Sequence, residues 1–303
     1  MNGHVGILKG LSSDMAKYSF LPPLGVSIKD YKNYKYNLLG IHIRYSRPVM
    51  DAFMKPGTVY ITIIREPTTQ FESAFSFFEL SKYMGISKEL TGQQRLEEFF
   101  RKPDSYRKKL KYVTWYGMKG VPWFHAKNSQ IFDLGLDHEY HGDLEVVDRY
   151  IQRLDKEFEM VVILEHLDES LVILRQLLCW SWEDILYIKQ NARLARTPLT
   201  QNLTESIQHW NSVDMLLYTH FNQTLWNKVA HYGPHFQRDL NLFRTMLVQM
   251  NSECATERSG GNNLGANEPS RCKLLKRNNE VLHIVIARQR NKYFSKYLHP
   301  LFK

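Results

Sequence analysis

The 303-residue sequence has no run approaching 18 consecutive apolar residues, so as written it encodes no membrane-spanning helix. Its first ten residues are too polar for the hydrophobic region of a signal peptide, and the product as it stands is expected to be soluble and untargeted. Compositional bias is lacking as well. Hydrophobic residues make up 43%, aromatics 13% and charged residues 23%, which excludes disordered and fibrous classes. Neither a G-x-G-x-x-G nor a G-x-S-x-G pattern occurs. His125, His138, His141 and His166 fall at no metal-ligand spacing, so no metal is expected. Cysteine is scarce, at three residues. Cys179, in the apolar run LLCW, is expected to be buried in a helix, whereas Cys254 and Cys272 flank a polar Gly/Asn-rich stretch and can pair in an oxidising lumen.

What is present is a globular chain long enough for one large α/β domain or two small ones. Lysine and arginine number 40 against 31 acidic residues, a net charge of +9. That surplus suits an anionic partner (nucleic acid, nucleotide, sulfated sugar or anionic membrane) and equally suits a solvated basic surface. The densest basic run, residues 102–111 (KPDSYRKKLK), has two aromatics nearby, Tyr106 and Tyr112, and no nucleic-acid motif. No nucleic-acid partner is expected. Two N-glycosylation sequons, at Asn202 and Asn222, lean towards the secretory pathway.

Residues 38–45 (LLGIHIRY) and 58–64 (TVYITII) read as buried strands. After the second come Arg65, Glu66 and Pro67, then a helix over 70–83 with apolar Phe71, Ala74, Phe75 and Phe78 at helical spacing. The proline and a neighbouring threonine suit a helix start. Residues 146–158 carry an amphipathic helical pattern and 160–164 (MVVIL) a short buried strand. Helices are expected over 169–180, continuing through 182–189, and over 204–232. This alternation predicts an α/β fold with a parallel sheet flanked by helices. The whole chain, 1–303, reads as one domain with its core at about 38–233 and a C-terminal extension in which 256–272 read as a flexible loop.

The segment from Arg65 to Ser73 carries the chemistry. An arginine at a strand end and a serine eight residues on can both face a phosphate near a helix N-terminus, where unpaired N–H groups and the helix dipole favour an anion. Arginine offers a fork of donors and serine a short hydroxyl donor. On spacing alone, a salt-bridged arginine at a strand end and a helix-surface serine are the better fit.

This segment resembles the 3′-phosphate-binding motif of sulfotransferases, and the chain as a whole resembles the galactose 3-O-sulfotransferase family. The matching stretches are His42 to Tyr45, Met54 to Pro67, Gln70 to Ser73, Phe132 to Gly135 and Asp168 to Leu174. Leu177 to Trp180, Asn191 to Arg193, Trp210 with Asn211, and Tyr218 to Asn222 follow in order. The resemblance implies a P-loop-type sulfotransferase fold and transfer of a sulfuryl group from 3′-phosphoadenosine 5′-phosphosulfate to the 3-hydroxyl of a β-galactose on a glycolipid or glycan. Galactosylceramide leads among the acceptors, and the location implied is the lumenal face of the Golgi membrane. Arg65 and Ser73 would hold the donor's 3′-phosphate, with Asn191 and Arg193 as further donor contacts. His42 would act as base or hydroxyl orienter. Arg44 and Trp210 would line the acceptor pocket. The chain reads as beginning after the family's first strand, its 5′-phosphosulfate loop and its N-terminal membrane anchor. An inactive product that binds a glycan or partner without turnover is therefore a second expectation.

Overall fold

The computed structural model describes residues 35–36, 44–115, 118–119, 121–188, 198–255 and 272. These fall into two compact units. One comprises the described residues up to Leu167 together with 198–228. The other comprises 168–188, 229–255 and Cys272.

The first unit holds a pair of parallel strands. β1, Ile61–Ile64, lies in register with β4, Met160–Ile163, from Ile61 opposite Met160 to Ile64 opposite Ile163. All four residues of β4 are buried, as an uninterrupted apolar run in a parallel sheet requires. β1 departs from expectation. Ile61 and Ile63 share one face and are 37% and 54% exposed, leaving Ile64 as its buried member. A short antiparallel pair, β2 (Thr114–Trp115) with β3 (Met118–Lys119), lies within the connection between them.

That connection is otherwise helical. After α1, Arg47–Phe53, and β1 comes α2, Pro67–Phe77. The single helix expected over 70–83 is broken, because Glu79 adopts a left-handed conformation (φ 49°). Then follow α3 (Leu80–Met84), α4 (Gly92–Arg101), α5 (Pro103–Leu110), α6 (Val121–His125), α7 (Ser129–Asp133) and α8 (Leu144–Glu157). Thr91 and Gln94 form a reciprocal capping box on α4. Asp143 caps α8, whose Val147, Ile151 and Leu154 are buried at the spacing the amphipathic pattern predicts. A helix-lined core gathers Phe71, Phe75, Leu80, Leu96, Phe99 and Trp210.

The helix expected over 204–232 is two, α10 (Gln201–Trp210) and α11 (Ser212–Tyr232), parted at Asn211. In the second unit, α9 (Leu167–Leu177) ends in a Schellman motif: Trp180 N–H donates to the Arg175 carbonyl and Cys179 N–H to that of Gln176. Cys179 takes the left-handed position (φ 52°) and is exposed, the reverse of the burial expected from its apolar neighbours. Beyond it, residues 182–188 of the helix expected over 182–189 make one 3-10 turn, Glu183–Ile185, and no α-helix. α12, Phe236–Ala255, presents Arg244 to Asp168 (3.0 Å) and Glu169 (2.8 Å). Cys254 and Cys272 are disulfide-bonded, the pairing that the sequence left open. Closing a loop of 18 residues in this way stabilises by about 3 kcal/mol. Among the described residues, no helix is long and apolar enough to cross a membrane.

Candidate functional site

The site begins where β1 ends. Ile64 is buried, and at Arg65 the backbone leaves the ladder. A strand end there exposes one donor and one acceptor, and a side chain takes both. The Arg65 N–H donates to Gln130 Oε1 (2.7 Å), and Gln130 Nε2 donates to the Arg65 carbonyl (2.8 Å). The guanidinium, 22% exposed, turns towards the first turn of α2. Its Nε lies 3.0 Å from Thr69 Oγ1 and 4.0 Å from Glu165 Oε1.

Glu66 alters the expected picture of the helix start. Its carboxylate accepts from the N–H groups of Thr68 and Thr69, both at 2.8 Å. The cap is therefore Glu66, not a threonine, and these two donors are already occupied by a fixed negative charge. Any phosphate held here is held by side chains rather than by those N–H groups. Glu165 Oε2 accepts from the Glu66 N–H at 3.1 Å. Tyr218 stands against the same carboxylates, its hydroxyl pushed up to about 12 by burial and then by the charges of Glu165 and Glu66. Ser73 is half-buried on α2, two turns beyond Arg65. The Glu165 contact, at 4.0 Å, is longer than the 3.0 Å bond to Thr69.

Gln130 stands on α7, and α7 is fastened from two sides. Asp214, fully buried, accepts from the N–H groups of Gln130 (3.1 Å) and Ile131 (2.9 Å). Burial pushes its carboxyl up to about 7, against the opposing pull of those two bonds. Asn211 Oδ1 accepts from the Asn128 N–H (2.8 Å), and Asn128 Oδ1 accepts from the Asp214 N–H (3.3 Å). On the other side, Gln70 Nε2 donates to Ser129 Oγ (2.9 Å), tying α7 to α2.

Two stretches matched by the resemblance meet here. Arg44 donates through Nε to the Phe132 carbonyl (2.8 Å), stacks its guanidinium 4.2 Å from the Phe132 ring, and pairs with Asp137 at 2.7 Å. The Tyr45 N–H donates to the Asp133 carbonyl at 2.7 Å. Gly135 has φ 105°, and a Cβ there would stand 2.6 Å from the Tyr45 carbonyl oxygen, so the close approach needs glycine. Arg44 is 7% exposed and thus engaged in holding these segments together. Trp210 is likewise buried. Its indole N–H donates to the Ala126 carbonyl (2.7 Å), its ring meets Phe99 edge-on, and Lys127 lies over its face.

Two neighbouring histidines are held neutral. His138 Nε2 lies 2.8 Å from the Lys127 carbonyl, and burial with the nearby Arg107 charge pushes its pKa down to about 3. His141 is lowered to about 4, mainly by burial. His42, Asn191 and Arg193 lie outside the described residues. Asn202 is exposed in the first turn of α10, whereas Asn222 is half-buried in the middle of α11 with its Oδ1 buried. Sequence reasoning missed Gln130, Asp214, Asn128, Glu66 and Glu165. Gln130 and Asp214 stand 84 residues apart, and no local pattern links them.

A parallel β pair, a strand–turn–helix carrying an arginine at its bend, and helices packed about it define an α/β protein of the sulfotransferase class. The galactose-3-O-sulfotransferase family model matches residues 25–267, and the chain belongs to that family. It is 33% identical over 231 residues to the galactosylceramide sulfotransferase of Bos taurus, covering 75% of this chain and 52% of that protein. To galactose-3-O-sulfotransferase 3 of Mus musculus it is 35% identical over 202 residues, covering 65% of this chain and 44% of the relative. The corresponding Homo sapiens protein shows 36% identity over 202 residues, 65% of this chain and 44% of its own length. The chain thus spans about half the length of the curated relatives it matches. No solved structure matches it.

Proposed function

We propose that this protein transfers a sulfuryl group from 3′-phosphoadenosine 5′-phosphosulfate to the 3-hydroxyl of a β-galactose, with galactosylceramide as acceptor. The observation that carries the reading is Arg65, partly buried and backbone-clamped at the C-terminal end of a parallel strand, where open α/β sheets bind ligands, in a chain of this family. Arg65 and Ser73 hold the 3′-phosphate, with Asn191 and Arg193 as further donor contacts. The galactose 3-oxygen attacks sulfur in line, and the bond from sulfur to the 5′-phosphate oxygen breaks. 3′-Phosphoadenosine 5′-phosphate departs, and the hydroxyl proton passes to His42. Relatives named for galactosylceramide support the glycolipid acceptor, while those named galactose-3-O-sulfotransferase 3 keep other β-galactosides in the test. The disulfide supports a lumenal, Golgi-type setting.

The test is transfer from radiolabelled donor by the purified chain, offered galactosylceramide and a free β-galactoside side by side. Label in galactosylceramide supports the full reading, and label confined to the free galactoside reassigns the acceptor. No label in either, from a folded protein, leaves the inactive binding reading. His42→Ala is expected to lose turnover while keeping affinity for 3′-phosphoadenosine 5′-phosphate.

A further inference from the structure

We infer that Gln130 is a positioning residue for Arg65, holding both of its peptide groups just past the end of the β1–β4 register; this rests on the reading of Arg65 as a phosphate ligand. The two-point contact is the core of the argument. A primary amide offers one acceptor and one donor side by side, and here both are spent on one residue's backbone, at 2.7 and 2.8 Å. An adjacent peptide in a sheet would satisfy Arg65 in the same way. The β1–β4 register stops at Ile64, and at Arg65 it is the Gln130 amide, not β4, that takes up the peptide N–H and carbonyl.

The brace is stiff because its own base is stiff. Gln130 and Ile131 N–H groups are tied to a fully buried carboxylate, Asp214, on α11. Asn128 is locked to α11 in both directions, through Asn211 and through the Asp214 N–H. Ser129 is tied to Gln70 on α2, the helix that Arg65 leads into. The bend between β1 and α2 is thus held at both ends by consecutive residues of α7, Ser129 on the helix side and Gln130 on the strand side. Gln130 acts on the peptide unit, and so on the direction in which the guanidinium leaves the backbone. A misplacement of about 1 Å in a group that positions substrate can cost on the order of a hundredfold.

The experiment compares Gln130→Met, Arg65→Ala and the double variant with the parent chain, after circular dichroism and melting have shown all four folded. Affinities are measured by calorimetry for 3′-phosphoadenosine 5′-phosphate and for adenosine 5′-phosphate, which lacks the 3′-phosphate. Gln130→Met is expected to weaken the first nucleotide on the order of tenfold or more and to leave the second unchanged. Adding Gln130→Met to Arg65→Ala is expected to bring no further loss, because the residue being positioned is gone. Equal weakening of both nucleotides, or additive losses in the double variant, would overturn the positioning role in favour of general loosening. Loss on Arg65→Ala with none on Gln130→Met would overturn the brace while leaving Arg65 as the phosphate ligand. If Arg65→Ala changes nothing, or the parent binds neither nucleotide, the reading of Arg65 falls instead. Amide hydrogen exchange then decides the brace by itself: faster exchange of the Arg65 N–H in Gln130→Met supports it, and unchanged exchange refutes it.

Discussion

Asp214 makes the sharpest prediction, because its burial is complete and it has no cation in its hydrogen-bonding shell among the described residues. Its carboxyl is raised to about 7 in the folded protein, from 3.8 in the unfolded chain. Between those values the folded state binds more protons than the unfolded state, so this group lowers stability as pH rises, and its effect flattens above pH 7. Each unit of the interval corresponds to about 1.4 kcal/mol, so going from pH 5 to pH 7 removes about 3 kcal/mol. Asp214→Asn cannot ionise and should lack that term. It also turns an amide N–H towards one of two backbone donors, at a cost of about 1–3 kcal/mol at high pH. The assay is urea denaturation of parent and variant at pH 5 and pH 8, with slopes checked for agreement. All other titrating groups are common to both, so the difference between their pH dependences isolates Asp214. The parent should lose about 3 kcal/mol more than the variant across that range. Equal losses would refute the raised carboxyl and show that the two N–H bonds fully offset the cost of burying the charge.

His138 works in the opposite sense. Its pKa, lowered to about 3 from 6.5, makes the unfolded chain take up a proton first, so stability present above pH 6.5 is lost on acidification. His138→Gln should flatten the acid limb of the denaturation profile, and an unchanged limb would contradict the neutral assignment. Cys179→Gly should raise stability by about 1 kcal/mol in chemical denaturation, since the left-handed position after α9 costs a side-chain-bearing residue about that much. Trp210→Ala should cost about 3–5 kcal/mol, with a correspondingly lower melting temperature, because it empties core volume and orphans the Ala126 carbonyl. In a chain routed through the secretory pathway, Asn202→Gln should remove one glycan and Asn222→Gln none, read as a gel shift on endoglycosidase treatment.

Elements whose period is written along the chain were legible. α8 shows Val147, Ile151 and Leu154 on one face, and β4 is a bare apolar run. The bend from Arg65 into α2 was legible for the same local reason, a strand, a proline and a helical apolar pattern. Local pattern failed where a side chain served the backbone. Nothing in its neighbours marks Glu66 as a cap rather than a surface charge, and Glu79 breaks a helix its own propensity favours. Cys179 misled because apolar neighbours suggest burial, while its place just after a helix end decides exposure. The matched stretches identified by resemblance turn out in large part to be mutual supports. Arg44 and Tyr45 grip 132–133, Gly135 admits Tyr45, and Asn211 grips Asn128. Such contacts join residues 80 to 90 positions apart and leave no periodic trace.

The link between Cys254 and Cys272 has a practical consequence for anyone handling this protein. A protease cutting any peptide bond between those two positions yields two fragments that stay covalently joined. Without a thiol reductant, a nicked preparation has the mass of the intact chain plus one water and migrates beside it. With reductant, everything C-terminal to the cut is released as a separate band. Purity judged on a non-reducing gel would therefore overstate how much of the material is a single unbroken polypeptide.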